Sequence, residues 1–509
     1  MVSTFVLLLS TIVVIGALKF FFVVRRYFTH WKNKGIPFVP GYKNLLISWK
    51  AVLGYMTFTD LSEGMYYHHP DVKYFGGSDF TTFTIFLRDL ELIKDITVKD
   101  FDHFTDHRVF IDENVEPMFG KNIFSLRGDR WREMRNTLSP SFTASKMKFM
   151  FELISRCSHD FVNYLAEHPE LYSTLDTSEI FKRYTNDVIA TAAFGVSVNS
   201  MEDNENEFYK KGKEIGSSSF GVPAMLRMIF LASCPRLAKL LGITFVPTAT
   251  SRFFKNVVRE TIRVREERNV IRPDMIHLLM QARNKDGQVH KIELDDIVSQ
   301  AFNFFFAGFD LSSRLMCFVA HELAVHRDIQ DRLREEIQRH LAEGNSEISY
   351  ESLMRMTYMD MVVTETLRKY PPLLFIDRIC VKKYELPPAA PGYKSMIVEP
   401  DDILMFPVYS LHHDPKYFPD PEKFDPERFN EENKDKVLPY YYLPFGQGPR
   451  KCIANRFVLM ETKILIAHLL LKFNLKTVER TVEPIVFSKK EFILTPANGF
   501  WIGLEKRDA

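Results

Sequence analysis

Apolar residues recur along this chain in long helical stretches separated by short turns, with strand-like segments only near 81–87, 402–408 and 491–503. The longest helical stretch, 294–326, begins around the cap-like acids Asp295-Asp296. At 1.5 Å per residue it would run roughly 45–50 Å, enough to cross a large domain. A second helix passes through Met359-Asp360-Met361-Val362-Val363-Thr364 and stops at Tyr370-Pro371-Pro372. A third is expected to start at Cys452, because Asn455-Arg456-Phe457-Val458-Leu459-Met460-Glu461 holds neither Gly nor Pro. Residues 4–24 are different in kind: 21 residues with one charge, Lys19, long enough to span a bilayer. The stretch exceeds the apolar core of a cleaved signal peptide, and no small-residue cleavage site follows it. Arg25, Arg26, Lys32 and Lys34 come next while Met1-Val2-Ser3 carry no side-chain charge, so the positive-inside rule leaves the following body in the cytosol. Gly35-Ile36-Pro37-Phe38-Val39-Pro40-Gly41 reads as a stiff connector. The expected organisation is an anchor over 1–26, a basic, proline-rich hinge over 27–41 and one large body over 42–509.

Length alone, 509 residues, suggests about three domains. After Gly41, however, there is no low-complexity linker, internal repeat or charge block, which favours one domain, mainly helical with small sheets. A net charge of +1 argues against a nucleic-acid partner, which needs a basic surface. Cys157, Cys234, Cys317 and Cys380 form no CxxC pair and no zinc spacing, and read as small core residues.

Cys452 is the exception. It lies in Phe445-Gly446-Gln447-Gly448-Pro449-Arg450-Lys451-Cys452-Ile453-Ala454, a tight loop holding backbone close to a sulfur. A thiol at a helix N-terminus beside Arg450 and Lys451 is expected to have a lowered pKa. The loop resembles the heme-ligand signature of the cytochrome P-450 family, Phe-x-x-Gly-x-Arg-x-Cys-x-Gly, at every position but the last, where Ala454 stands. The resemblance implies heme b with Cys452 as its axial thiolate and Phe445 against the ring, held between the long central helix and the helix after Cys452.

Three upstream motifs extend the resemblance over nearly the whole chain. Glu365 and Arg368 lie three apart on one helix face; alone they could be an ordinary surface ion pair, but the apolar lead-in favours burial with a further partner. Arg428, in Pro426-Glu427-Arg428-Phe429, matches the family's second arginine, which implies a structural Glu365, Arg368 and Arg428 triad. Trp131-Arg132-Glu133-Met134-Arg135 matches its Trp-x-x-x-Arg helix, implying that Trp131 and Arg135 face the heme propionates, with Arg378, Arg450 and His107 as further partners. On the long helix, Ala307, Gly308 and Asp310 match the oxygen-activation motif. The family's threonine, which holds a water and helps deliver protons, is replaced by Leu311, which can hydrogen-bond nothing. Ser312 is adjacent, but one residue turns about 100 degrees, so its hydroxyl is expected to point elsewhere. Asp310 and Ser312 with ordered water are the expected proton groups.

Phenylalanine is abundant, 45 residues. By resemblance Phe110, Phe119, Phe304, Phe306, Leu311, Leu374 and Phe375 would line a substrate pocket. The apolar run from Ser219-Phe220-Gly221-Val222-Pro223-Ala224-Met225-Leu226 to Phe245 suggests contact with a bilayer surface and an entry route for lipophilic molecules. Arg127, Arg130, Arg132, Lys146, Lys148 and Lys451 form either a patch for an acidic electron donor or scattered solvated charges. The resemblance, strongest to insect microsomal members of detoxification type, implies an NADPH-driven monooxygenase of the endoplasmic reticulum membrane. It would take electrons from NADPH–cytochrome reductase, with cytochrome b5 as a second donor, and insert oxygen from O2 into small lipophilic substrates. Two alternatives stay open: a heme-thiolate isomerase or dehydratase, which Leu311 favours and Asp310 opposes, and a non-catalytic heme or ligand carrier.

Overall fold

The computed structural model describes residues 21, 24–79, 82–219, 221–272, 274–283, 291–343, 347–433 and 440–507. The expected spanning segment therefore lies outside the described residues apart from Phe21 and Val24, as do Thr81 and Phe220. Among the described residues no helix is long and apolar enough to cross a membrane.

Helices dominate, and the longest bury stripes spaced by three and four residues. Ala144–Glu167 buries Met147, Met150, Phe151, Ile154, Ser158, Phe161, Val162 and Leu165 along one such stripe. Asn455–Lys472 is buried nearly all round and lies along Ala144–Glu167. Thr177–Ile189 starts at Asp176, whose carboxylate accepts from the Ser178 and Glu179 N–H groups. It packs along the long central helix.

That central helix is not uniform. It begins at Leu294, where Glu293 and Asp296 form a capping box, and runs as α-helix over Leu294–Phe306. It widens to π-geometry over Ala307–Ser312 and returns to α-helix over Ser313–Val325. The wide turn falls on the motif that the sequence singled out, as such turns often do at functional sites.

Two of the three strand expectations held nearly at their predicted positions. A four-stranded sheet takes the order Tyr74–Asp79, Thr82–Leu87, Ile403–Phe406, Ile376–Ile379. Only Thr82–Leu87 with Ile403–Phe406 is parallel. In the third segment the strand covers Trp501–Lys506, and 491–500 is irregular. The Ile376–Ile379 edge is met by a neighbouring loop, Ile379 N–H donating to the Asp106 carbonyl at 2.7 Å. This contact brings His107 beside Asp377 and Arg378.

The connector after the basic helical stretch 24–34 is docked on this sheet. Val39 N–H donates to Gly76 O at 2.9 Å and Gly76 N–H to Pro37 O at 2.8 Å. Trp31 is buried, its Nε1–H donates to Gly77 O at 2.6 Å, and a Cβ on Gly76 would come within 2.2 Å of its ring.

Candidate active site

The cysteine loop folds back on itself through backbone bonds. Cys452 N–H donates to Phe445 O at 2.8 Å, Gly446 N–H to Leu443 O at 3.0 Å and Lys451 N–H to Gly448 O at 2.9 Å. The following helix begins at Asn455 with Ala454 as its cap, three residues beyond the expected start at the cysteine. The thiol expectation is also corrected. Cys452 has surface open to a central cavity but sits deep in the protein, and burial pushes its thiol up. The Ala454 N–H and the charges of Arg135 and Lys451 pull the other way without winning. A metal at the sulfur takes the thiolate regardless of the free thiol's pKa.

The loop is held from behind by the buried triad. Glu365 accepts from Arg368 Nε at 2.7 Å and Nη2 at 2.9 Å, from Arg428 Nε at 3.3 Å and from Asp425 N–H at 2.9 Å. Both Glu365 and Arg368 are fully buried. Remaining guanidinium donors reach carbonyls of the segment leading to Cys452: Arg368 that of His412, Arg428 those of Pro419 and Asp420. His412, which nothing in the sequence marked, closes the link. Its Nε2 accepts from Leu443 N–H at 2.9 Å, leaving Nδ1–H to donate to Arg368 O at 3.2 Å. Burial first, then nearby charges, hold this imidazole neutral.

A cavity of about 290 Å³ opens above Cys452. One end is cationic. His107, Trp131, Arg135, Arg378 and Arg450, all singled out in the sequence, line it together with Phe445. Arg378 is 1 % exposed, donates to Asp377 O at 2.7 Å and Gln447 O at 3.2 Å, and keeps a buried Nε–H without a partner. Burial lowers its pKa to about 10. Arg135 has no acidic side chain paired to it among the described residues; burial lowers its pKa, opposed by the Cys452 charge. Arg450 is already committed: its donors go to the carbonyls of Thr105, Ile123 and Leu126 and to Asp106, and it stacks 4.0 Å from the Trp131 ring centroid. His107 stacks on Phe124 with centroids 4.7 Å apart. Burial and Arg378 lower its pKa, opposed by Asp377, so it stands there as a neutral ring.

Across the cavity lies the π-turn, which contributes Ala307, Gly308, Leu311 and Ser312. One expectation changes here. Ser312 borders the cavity beside Leu311, but its Oγ has no exposed surface, in keeping with the 100-degree argument. Asp310 faces away, 1 % exposed, with Arg314 Nε at 2.6 Å and Lys182 Nζ at 3.3 Å. Burial raises its pKa, but the two cations outweigh that and keep it ionised. Gly308 packs closely on a neighbouring helix: a Cβ there would meet Ile189 Cδ1 at 2.9 Å, so that side chain would have to shift.

The rest of the lining is mainly apolar, with Ser141 and Asn303 as polar exceptions. Phe304, Leu311 and Phe375 reach it, joined by Phe124, Phe142, Ile189 and Leu373, which the sequence did not mark. Phe110, Phe119, Phe306 and Leu374 do not line it. Phe119 and Phe306 instead form an aromatic cluster with Phe245, which explains their placement, and Leu374 is core. Of the proposed basic patch, Arg130 pairs with Glu113, Arg132 with Asp102 and Lys148 with Glu351.

A single thiol facing an apolar slot, with unpaired guanidinium donors at one end, fits a large flat metal-bearing ring with anionic substituents. Residues 68–502 match the family model described as Cytochrome P450. The chain is similar to cytochrome P450 9e2 of Blattella germanica, 46% identical over 486 residues, 90% of each chain. It is 41% identical to the probable cytochrome P450 9f2 of Drosophila melanogaster over 454 residues, 86% of this chain and 87% of that one. Cytochrome P450 6j1 of Blattella germanica is 34% identical over 510 residues, 99% and 98%.

Proposed function

Because the chain belongs to the cytochrome P450 family, we propose that it is an NADPH-driven monooxygenase acting on small lipophilic molecules, xenobiotics among them. Family membership carries heme b with an axial cysteine thiolate and oxygenase chemistry. The single observation that supports the finer reading is the cavity itself: Cys452 at its floor, Arg378 with a buried unpartnered Nε–H at one end, and mainly apolar walls.

When bound, heme b supplies O–O cleavage favoured by electron density from the thiolate, the usual effect of this ligand in the family. Cys452 would hold the iron, and Arg378, Arg135, Trp131 and His107 the propionate end, with Arg450 keeping their loops in place. The apolar walls exclude water and select lipophilic substrates. Leu311 adds volume there, pressing substrates inward, and offers no hydroxyl.

Electrons would come from an NADPH–cytochrome reductase, with cytochrome b5 as a second donor. Lys451 and Arg127 remain as exposed cations for docking, while Arg130, Arg132 and Lys148 are paired with acids. Residues 4–24 would anchor the protein in the endoplasmic reticulum membrane with the body cytosolic. Exposed Leu226, Leu237, Leu240 and Leu241 support a second contact with lipid. The isomerase or dehydratase reading keeps one favouring observation, Leu311 on the cavity wall.

Carbon monoxide added to the reduced protein should give the red-shifted Soret band of thiolate ligation, lost in Cys452→Ser. Reductase and NADPH should then drive substrate oxidation. Turnover without NADPH would replace the monooxygenase reading with the isomerase one.

A further inference from the structure

We propose that Asn303 sets the specificity of the cavity, its side-chain amide taking the carbonyl or hydroxyl group of a neutral, otherwise lipophilic substrate. What then happens to the bound molecule rests on the monooxygenase reading; the binding does not. Asn303 lies on Leu294–Phe306, one turn before Ala307. With Ala307 and Leu311, at steps of four residues, it belongs to the helix face that borders the cavity. It is half-buried, and among the described residues no hydrogen bond reaches its amide.

The other amides of the interior are committed to the protein. Gln300, one turn back on the same helix, accepts from Ile123 N–H at 2.8 Å and donates to Lys121 O at 2.7 Å. Asn122 donates to Phe119 O at 2.6 Å and Asn186 to Ser200 Oγ at 2.7 Å. Asn303 ties nothing together. Asparagine is also a weak helix former, and its flanks here, Phe302 and Phe304, are hydrocarbon. Neither local propensity nor packing accounts for it. The other polar side chains of the lining belong to the cationic end or the cysteine loop, or, like Ser141 and Ser312, keep their hydroxyls sealed from the cavity.

A pure hydrocarbon filling this space would strip water from the Asn303 amide and give it no partner, which is unfavourable. A carbonyl would accept from Nδ2–H, and a hydroxyl could donate to Oδ1. An ionised group would fare worse. The charged side chains of the lining are confined to the cationic end and the cysteine loop, so a charge held at Asn303 would lose water without gaining a counter-ion. At about 1.5 Å per residue, the asparagine stands about 6 Å along the helix from Ala307. A substrate held there by its polar group leaves its apolar half beside Ala307, Gly308 and Leu311. The site is thus built for neutral ketones, esters or alcohols with a mainly hydrocarbon body.

The test uses the full heme-loaded chain and three probes of similar skeleton: benzylacetone, butylbenzene and hydrocinnamate. In equilibrium dialysis Asn303→Leu should weaken benzylacetone roughly three- to tenfold, the usual worth of one hydrogen bond, and leave butylbenzene unchanged or tighter. Hydrocinnamate should bind the parent far more weakly than benzylacetone. The infrared carbonyl stretch of bound benzylacetone should lie at lower wavenumber in the parent than in the variant, a shift that a merely structural asparagine would not produce. Equal weakening of benzylacetone and butylbenzene, an identical carbonyl stretch in both proteins, or hydrocinnamate binding as tightly as benzylacetone overturns the proposal. So does loss of heme from a variant that still unfolds cooperatively, because the amide would then serve the cofactor. If Asn303→Leu does not fold, Asn303→Ala decides by the same comparison. A parent without NADPH-dependent turnover removes the monooxygenase reading and leaves dialysis and infrared spectra to decide the amide.

Discussion

Gly448 sits under the carbonyl of Thr97 so closely that a Cβ added to it would lie 1.9 Å from that oxygen. Its φ of 71° is also one that side chains rarely adopt. Gly448→Ala should therefore push the cysteine loop off residues 95–99 and leave little protein able to show the thiolate-type carbon monoxide band. Gly446→Ala has similar φ strain, but its Cβ would meet only Ile376 Cδ1 at 3.7 Å. It should cost about 1–2 kcal/mol and keep the band.

Arg368→Ala leaves Glu365 buried with Arg428 as its only remaining guanidinium. Breaking one partner of such a pair costs roughly 3–5 kcal/mol. The variant should express mostly without heme and unfold at lower denaturant concentration. A fully loaded variant with altered turnover alone would contradict the structural role.

Glu322 supplies a pH dependence. Burial pushes its carboxyl up, but His326, Lys369 and Tyr370 outweigh burial and bring it to about 2 from an ordinary 4.5. A depressed carboxyl stabilises above its unfolded pKa and loses that contribution as pH falls through the folded one. About 3 kcal/mol of stability should thus disappear between pH 4.5 and 2. Denaturant unfolding at several pH values should show this slope, and Glu322→Gln should flatten it.

Arg378 and Arg450 should separate experimentally. Arg378→Met removes a cavity-facing donor whose own protein contacts are few, so heme should dissociate roughly 10- to 100-fold faster from a stable fold. Arg450→Met frees three carbonyls and Asp106 at once and should lower the unfolding midpoint before affecting heme retention specifically.

Leu311→Thr places a hydroxyl on the cavity wall next to Ser312. Product formed per NADPH consumed should rise and the peroxide share fall, measured together in the reconstituted system. No change in either would mean that the existing hydroxyl already meets the demand.

What could be read from the sequence was whatever is fixed by contiguous residues. Cys452 with its glycines, Glu365 with Arg368, and Trp131 with Arg135 each lie within one turn or loop, and their spacing carries their geometry. Asp310 was misplaced because its direction depends on a local change of helical repeat and on Lys182, more than a hundred residues away. Phe119 and Phe306 have the composition of a pocket lining but are claimed by Phe245. His412 carries no motif; only the packing of distant segments reveals that it bridges two backbones.

The seat of Trp31 against Gly76 has a mechanical consequence. A glycine- and proline-bearing segment would ordinarily act as a swivel, letting the two sides reorient independently. Here the indole and the pairing of 37–39 remove that freedom, so residues 24–34 and the body behave as a shaft keyed into a hub. Any tilt imposed on the shaft is transmitted to the cavity and its cationic end as the same rotation. Gly76→Ala, by unseating the indole, should turn that rigid coupling into a loose tether while leaving Cys452 and its loop undisturbed.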